Sequence, residues 1–148
     1  MTATAGASRA TISVLASEHV AVRALLEELA RAEGRGDREA ASAALLGSGE
    51  LLRTGLDAHI GLEDDVLFPA IAEELGAAMV DSFRAEHREI ERLRDAVVAA
   101  ARRGDLDGAP LEELCERLGG HMQREDELLF PAAIELLEDR GEVEGAGS

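Results

Sequence analysis

The chain of 148 residues contains no tryptophan and no tyrosine, and aromatic residues make up only 2% of it. Hydrophobic residues nevertheless account for 46% of the sequence. The core must therefore be built from leucine, alanine, valine and isoleucine, which favours helices over sheets. The absence of tyrosine also argues against tyrosyl-radical chemistry. A chain of this length fits one domain with a substantial core.

Cysteine and basic residues are also scarce. The single cysteine, Cys115, cannot form an internal disulfide, which fits a reducing compartment. Its neighbours Leu114 and Leu118 indicate a small buried hydrophobe rather than a reactive thiol. The 15 basic residues are outnumbered by 31 acidic ones, and the net charge is -16. Nucleic acids and anionic membranes bind basic patches, so we expect neither as a partner.

Long hydrophobic runs are missing as well. No stretch approaches the roughly 20 apolar residues that span a bilayer. The N-terminus lacks the basic region and apolar run of a secretory signal, so we expect a soluble, cytoplasmic protein. The terminal segments, residues 1–10 and 141–148, are predicted to be disordered because they are small or acidic. The predicted domain spans residues 11–140.

The chain does contain a twelve-residue block that occurs twice. The block HIGLEDDVLFPA at residues 59–70 returns as HMQREDELLFPA at residues 121–132, with seven identical positions. A second correspondence relates residues 18–25 to residues 86–93, each opening on a Glu-His pair. The sequence therefore indicates two related helical hairpins.

Apolar periodicity predicts four helices. The first would be capped by Thr11 or Ser13 and end at Gly34-Arg35-Gly36. The second would be capped by Asp37, and the glycines at residues 47–49 would either bend it or split it. With short connections, this predicts an all-α, up-down-up-down four-helix bundle.

Two prolines interrupt the helical pattern near the ends of the second and fourth helices. Pro69 and Pro131 each remove a backbone donor and clash with the preceding turn. We therefore expect a kink or a stop near Phe68, with the last turns of the second helix forming a separate short piece, and a similar kink at Pro131.

All four histidines fall at core positions, one on each predicted helix, and two glutamates do the same. These residues are His19, His59, His87 and His121, together with Glu63 and Glu125. Buried, unpaired carboxylates are costly, and a cation would supply the missing positive charge while neutral imidazoles complete its coordination. Residues four apart share a helix face, so each repeated block presents a histidine and a glutamate together.

Six such ligands are too many for one tetrahedral site. They suit two metal ions about 3.5 to 4 Å apart, bridged by the carboxylates and with open positions for a further ligand. Nitrogen and oxygen ligands without thiolate favour iron, although manganese or zinc would be tolerated. The spacing differs from the Glu-x-x-His pairs of ferritin-like proteins. The His-Glu-x-x-His motif of zinc proteases is absent.

Over about residues 11–138, this pattern resembles the hemerythrin-like, or HHE cation-binding, domain family. The resemblance rests on His19, on Glu86-His87 and on the blocks at residues 59–69 and 121–131. It implies a four-helix bundle around a non-haem di-iron centre, with two Fe²⁺/Fe³⁺ ions joined by an oxo or hydroxo bridge. It further implies four terminal histidine ligands and two bridging glutamates, namely His19, His59, His87 and His121 with Glu63 and Glu125.

The sequence departs from the oxygen-carrying hemerythrins at two positions. Those proteins have a second histidine one turn after the third-helix ligand, where this chain has Glu91, and an Asp five residues after the last histidine, where this chain has Glu125 at four. Glu91 is thus a further candidate ligand, which would stabilise ferric iron. Alternatively, it lies at the helix flank beside Arg88 or Arg94, or faces Arg23.

The ligand set is similar to the family branch associated with repair of iron centres and nitric-oxide stress, and to bacterial hemerythrin-like proteins that degrade peroxide. We therefore expect a di-iron protein that reacts with hydrogen peroxide or nitric oxide, with peroxidase- or catalase-like turnover left open. The alternative is a non-enzymatic carrier or sensor of dioxygen or iron. A third hypothesis is ligand-dependent signalling to a protein partner that the sequence does not identify.

Overall fold

The computed structural model describes residues 7–48 and 51–147, with side chains as far as Asp139. All regular elements in these ranges are helical, which confirms the all-α class. The helices are α1 (Arg9–Gly34), α2 (Arg38–Gly47), α3 (Leu56–Leu62), α4 (Phe68–Leu75), α5 (Ala77–Arg102), α6 (Gly108–Arg124) and α7 (Phe130–Gly147). Three π-helical segments precede α3, α4 and α7, at Leu51–Gly55, Glu63–Leu67 and Glu125–Leu129. Within the described ranges, no helix combines the length and apolarity that crossing a membrane requires.

The first helix begins one turn earlier than predicted. Ser8 caps it, because its hydroxyl accepts a hydrogen bond from the Thr11 backbone N–H at 3.3 Å. The Ser8 backbone N–H donates in return to the Thr11 hydroxyl at 3.2 Å. The predicted cap at Thr11 or Ser13 is therefore wrong, since Thr11 is the N3 partner of a reciprocal capping box. The predicted disordered segment, residues 1–10, falls largely on residues 1–6, which lie outside the described residues, while Arg9 and Ala10 belong to α1.

The other predicted boundaries differ in their agreement with the structure. Asp37 does cap α2, with its Oδ1 accepting from the Ala40 N–H at 3.0 Å. The α7 helix continues to Gly147, beyond the predicted boundary at residue 140. The glycines at residues 141, 145 and 147 each weaken a helix by only a modest amount, and no proline follows Pro131 to stop it. Whether the glycines at residues 47–49 bend or split the second helix falls partly on residues 49–50, outside the described residues.

The chain remains helical through Pro69 and Pro131, but the turn before each proline is a wider, π-helical turn. The backbone N–H of Phe68 bonds to the carbonyl of Glu63, and that of Phe130 to the carbonyl of Glu125, five residues back instead of four. In a regular α-helix a proline ring clashes with the carbonyl four residues earlier. A π-helical turn has a different register, which lets the chain pass Pro69 and Pro131 and continue as α4 and α7.

The lost proline donor is replaced at Pro69. In the register of the widened turn, Pro69 would donate to the carbonyl of Asp64, but proline has no N–H. Arg84 of α5 donates to that carbonyl instead, at 2.9 Å. An arginine thus satisfies a carbonyl that the proline leaves without its helical partner.

The buried residues form two apolar clusters with a polar layer between them. The α1 helix contacts α2, α6 and α7, while α5 contacts α2, α4 and α6. On α1, Leu15 belongs to one cluster and Val22 to the other, with His19 between them. On α5, Phe83 and Ile90 flank His87 in the same way. The helices therefore carry the histidines into a layer across the middle of the apolar core.

One buried cation joins α5 to the π-helical segment Leu51–Gly55. Arg94 is 5% exposed, and its Nη1 donates to the Leu52 carbonyl at 3.1 Å and to Asp57 Oδ1 at 2.7 Å. Burial alone would lower the pKa of this guanidinium, but the bonds to Asp57 and Asp95 raise it. Arg94 therefore stays charged and holds the segment that leads to His59.

We expect Arg94→Met to destabilise the metal-free protein by about 1–3 kcal/mol, because the Leu52 carbonyl and the Asp57 carboxylate would both lose their hydrogen bonds to the buried guanidinium. Urea denaturation measures this change. The control is Arg92→Met, since Arg92 is 70% exposed and pairs with Glu89 at the surface. It should change stability by less than about 0.5 kcal/mol. Equal losses in the two variants would contradict a structural role for the buried guanidinium.

Candidate metal centre

Six buried side chains converge in the polar layer, and all six are candidates that the sequence singles out. Their exposed fractions range from 0% to 7%. They form two groups that share both glutamates: His19, His59, Glu63 and Glu125 in one, and Glu63, His87, His121 and Glu125 in the other. Within each group the potential ligand atoms all lie within 4.8 Å of one another. Either group could hold a metal ion.

Each glutamate uses its two oxygens on different groups. Glu125 Oε1 lies 3.0 Å from His19 Nε2, while Oε2 lies 3.0 Å from His121 Nε2. Glu63 Oε2 lies 3.3 Å from His59 Nε2, while Oε1 lies 2.8 Å from His87 Nε2. This is the arrangement expected of carboxylates that bridge two cations.

The inner atoms of the site lack hydrogen-bond partners despite their proximity. Both oxygens of Glu63, both oxygens of Glu125, and Nε2 of His87 and of His121 are buried and form no hydrogen bond. Buried carboxylates without partners are strongly unfavourable unless a cation compensates them. The residues present therefore fit divalent cations bound by nitrogen and oxygen.

The pKa shifts of the site reflect two opposing effects, the burial of the ionisable groups and the attraction between the imidazoles and the carboxylates. Burial alone would lower the pKa of His59, but Glu63 and Glu18 outweigh it and raise that pKa to about 9. Burial likewise opposes protonation of His87, whose pKa the carboxylates of Glu125 and Glu63 raise to about 10. Burial would raise the pKa of Glu125, but the histidines around it hold that pKa well below its usual range. In the metal-free protein, imidazole protons thus balance the buried carboxylates.

The other ring nitrogen of every histidine contacts a second carboxylate. The Nδ1 distances are 2.9 Å for His19 to Asp126, 2.8 Å for His59 to Glu18, 2.9 Å for His87 to Asp64 and 2.7 Å for His121 to Glu86. In the neutral imidazole, with its single proton on Nδ1, each histidine donates outward and leaves Nε2 free to bind metal. Such outer carboxylates orient metal-binding imidazoles and raise their basicity.

These four outer carboxylates are functional candidates that our sequence analysis missed. The signal for them lay in the repeats, which preserve a Glu immediately before His19 and His87 and an Asp immediately after Glu63 and Glu125. Helical periodicity alone directs attention to the residues that face the core, and the outer carboxylates lie at its edge.

Glu91, the seventh candidate, does not join either group. Its Oε1 lies 2.9 Å from Arg88 Nε, and its side chain is 28% exposed. Arg23, a possible partner in the sequence analysis, instead pairs with Asp126. The sequence left open whether Glu91 is a metal ligand or lies at the helix flank, and in the structure it lies at the flank beside Arg88.

A small cavity adjoins the six residues. Its volume is about 10 Å³, which is room for roughly one water-sized molecule. The four histidines and Glu125 line one part of it. The apolar remainder consists of Val22, Leu56, Ile60, Ile90, Leu118 and Met122. A molecule that occupies this space must be small.

Comparison with family models identifies the chain. The model of the hemerythrin HHE cation binding domain matches residues 10–133. The match covers most of the chain, so the protein belongs to the hemerythrin HHE family, a family of cation-binding domains. The family predicted from the histidines and the repeated block is thereby confirmed. Comparisons with curated proteins and with solved structures find no match.

We expect the shared glutamates to contribute more to metal binding than Glu91. Glu63→Gln and Glu125→Gln keep the shape of the side chain but remove the negative charge that a cation needs. Metal content after dialysis, measured by elemental analysis, should fall well below that of the wild type in both variants. Glu91→Gln is the matched control and should retain the wild-type content. Equal losses in all three would contradict this ranking of the carboxylates.

The stability of the metal-free protein should depend on pH in a defined direction. The raised pKa values of His59 and His87 stabilise the fold below about pH 6.5, and this contribution is lost as the pH rises through about 9 to 10. The lowered pKa of Glu125 stabilises the fold above about pH 4.5, and this contribution is lost in acid. The metal-free melting temperature should therefore be highest between about pH 4.5 and 6.5.

Metal should reverse the alkaline part of this trend, because cations compete with protons for the imidazoles. Scanning calorimetry with metal and with chelator, between about pH 5 and 9, should show a metal-dependent rise in melting temperature that grows with pH. A metal-free protein that becomes steadily more stable toward pH 9 would contradict the assigned charges.

Proposed function

We propose that this protein is a non-haem di-iron hemerythrin-like protein that reacts with a small oxidant, hydrogen peroxide or nitric oxide, in oxidative or nitrosative stress or in iron-centre repair. The observation that carries the proposal is the pair of ligand groups that share Glu63 and Glu125 beside a small, largely apolar cavity. Family membership supports the cation-binding part of the proposal.

The fold proposed for this function is an up-down-up-down four-helix bundle. Its four members would be α1, the run from α2 to α4, α5, and the run from α6 to α7. Support comes from a closed set of contacts, since α1 contacts α2, α2 contacts α5, α5 contacts α6 and α6 contacts α1. Such a ring is the pattern expected when four helices surround one axis.

In this proposal one iron would be held by His19 and His59 and the other by His87 and His121, with Glu63 and Glu125 shared between them. Bound iron would supply one-electron redox chemistry toward the oxidant. The protein residues orient the site through the outer carboxylates, compensate its charge through Glu63 and Glu125, and exclude bulk water. Manganese or zinc would also suit this donor set.

The cavity supports a small neutral ligand. A volume of about 10 Å³, room for roughly one water-sized molecule, favours a diatomic molecule or a peroxide over a larger organic substrate. Its apolar side chains offer no compensation for a charged ligand, which would lose its hydration on entering. Hydrogen peroxide and nitric oxide meet both requirements, and we expect no nucleic acid or membrane partner for so acidic a protein.

The same apolar cavity favours one alternative, a carrier or sensor that binds dioxygen or iron without turnover. Apart from the histidines and Glu125, the residues around the cavity have no proton to donate. A bound molecule could therefore be retained and released unchanged. A spectrum that cycles reversibly between air and vacuum, without loss of activity, would select this alternative.

The test uses the iron-loaded protein under anaerobic conditions. Stopped-flow mixing with hydrogen peroxide or with nitric oxide should consume the oxidant and change the absorption spectrum. If neither reagent reacts, the proposed oxidant chemistry is wrong.

A cavity variant locates the reaction. Val22 is 5% exposed and lines the cavity, so the extra methylene of Val22→Leu should slow the reaction without lowering the iron content. Val20→Leu is the matched control, because Val20 is 67% exposed on the same helix. An unchanged rate in Val22→Leu would contradict a reaction that uses this cavity.

A further inference from the structure

Three of the four outer carboxylates contact both a histidine and an arginine of one neighbouring helix. In each case the histidine and an arginine of the same helix bind the same carboxylate. The three sets are His19 and Arg23 of α1 with Asp126, His87 and Arg88 of α5 with Asp64, and His121 and Arg124 of α6 with Glu86. The arginine fixes the carboxylate, and the carboxylate in turn fixes the imidazole.

Glu18 is the exception. It accepts from His59 Nδ1 at 2.8 Å, but no arginine pairs with it in the described part of the chain. The chain contains no lysine that could replace the arginine. In the repeated block the position of Arg124 corresponds to Leu62. The first block thus has a leucine at the position where the second block has the arginine that binds the outer carboxylate.

Glu18 and His59 are also more exposed to solvent than the other outer carboxylates and histidines. The Glu18 side chain is 43% exposed, compared with 14% for Asp64, 25% for Asp126 and 33% for Glu86. His59 is 7% exposed, whereas none of the other three histidines exceeds 2%. Water therefore competes for the Glu18–His59 contact more than for its three counterparts.

We infer that the two metal positions are unequal, and that the position formed with His19 and His59 holds its ion more weakly. Its ion binds second and exchanges first, through the solvent-facing corner at Glu18 and His59. This inference rests on the proposed two-metal centre. Glu18 is a positioning residue, because it acts on the metal through His59. The position formed with His87 and His121 retains its ion, since arginines hold both of its outer carboxylates.

The first experiment measures metal release from the full chain. Protein loaded anaerobically with Fe²⁺ is mixed with excess chelator, and formation of the coloured complex is followed with time. The wild type should release its iron in two phases of equal amplitude. Glu18→Gln should accelerate the fast phase, and Glu86→Gln the slow phase, with affinity losses of about 10- to 100-fold at the affected position.

The second experiment exchanges the residues that distinguish the two halves. Leu62→Arg supplies the missing arginine and should slow the fast phase, while Arg124→Leu removes its counterpart and should accelerate the slow phase. Leu62 packs partly against an apolar cluster, so Leu62→Arg can lose stability. Arg124 is 47% exposed, so Arg124→Leu should fold normally and tests the same idea independently.

A spectroscopic measurement distinguishes a carboxylate that positions a metal-binding histidine from one that only stabilises the fold. With one equivalent of Co²⁺, proton NMR should show shifted Nδ1–H signals from two histidines, His87 and His121. Glu86→Gln should alter these signals. Glu18→Gln should leave them unchanged and alter only the signals that appear with the second equivalent.

The outcomes distinguish this inference from the proposed centre itself. A wild type that binds fewer than two ions would overturn the two-metal centre. Two ions that leave in a single phase, or equal effects of Glu18→Gln and Glu86→Gln on both phases, would leave the centre intact and overturn the inequality. Glu113→Gln is the surface control, because Glu113 is 49% exposed and pairs with Arg117. It should change neither phase.

Discussion

The negative charge of Glu63 and Glu125, buried at 0% exposure without hydrogen bonds, is the constraint on which this structure depends. Two such carboxylates in an apolar core would repel each other and would strongly oppose folding unless positive charge lay between them. Protons on the imidazoles provide that charge in the metal-free protein, and bound cations would provide it in their place. The histidines surround the two glutamates, the outer carboxylates contact the histidines, and arginines pair with three of the four outer carboxylates. Each layer compensates the charge of the one inside it.

The π-helical turns are also part of the structure that places the buried glutamates. Two of the π-helical segments begin at Glu63 and at Glu125, each ends at a leucine, and the α-helix that follows starts with Phe-Pro in both cases. π-helical turns are rare and frequently occur at functional sites. Here each one follows directly on the helix that carries a histidine and leads into a proline. The repeated block therefore encodes a ligand pair and a local backbone geometry together.

Much of the site could be predicted from the sequence because helical periodicity determines which residues face the core. His19, placed between leucines at helical spacing, and Glu63, four residues after a histidine, were identified in this way. Periodicity does not determine register at single-residue precision, so the π-helical turns and the Ser8 cap were missed. It also does not determine which neighbouring helix supplies the partner of each Nδ1, so the repeats preserve outer carboxylates such as Glu18 without showing which histidine each one contacts.

The central claim is that the buried histidines and glutamates enclose two metal ions. Anomalous diffraction from crystals of the iron-loaded protein, recorded on both sides of the iron absorption edge, tests it most directly. We predict two anomalous peaks per chain, both between Glu63 and Glu125, one beside His19 and His59 and the other beside His87 and His121. An interior without a peak, or iron bound only at the acidic surface, would contradict the account.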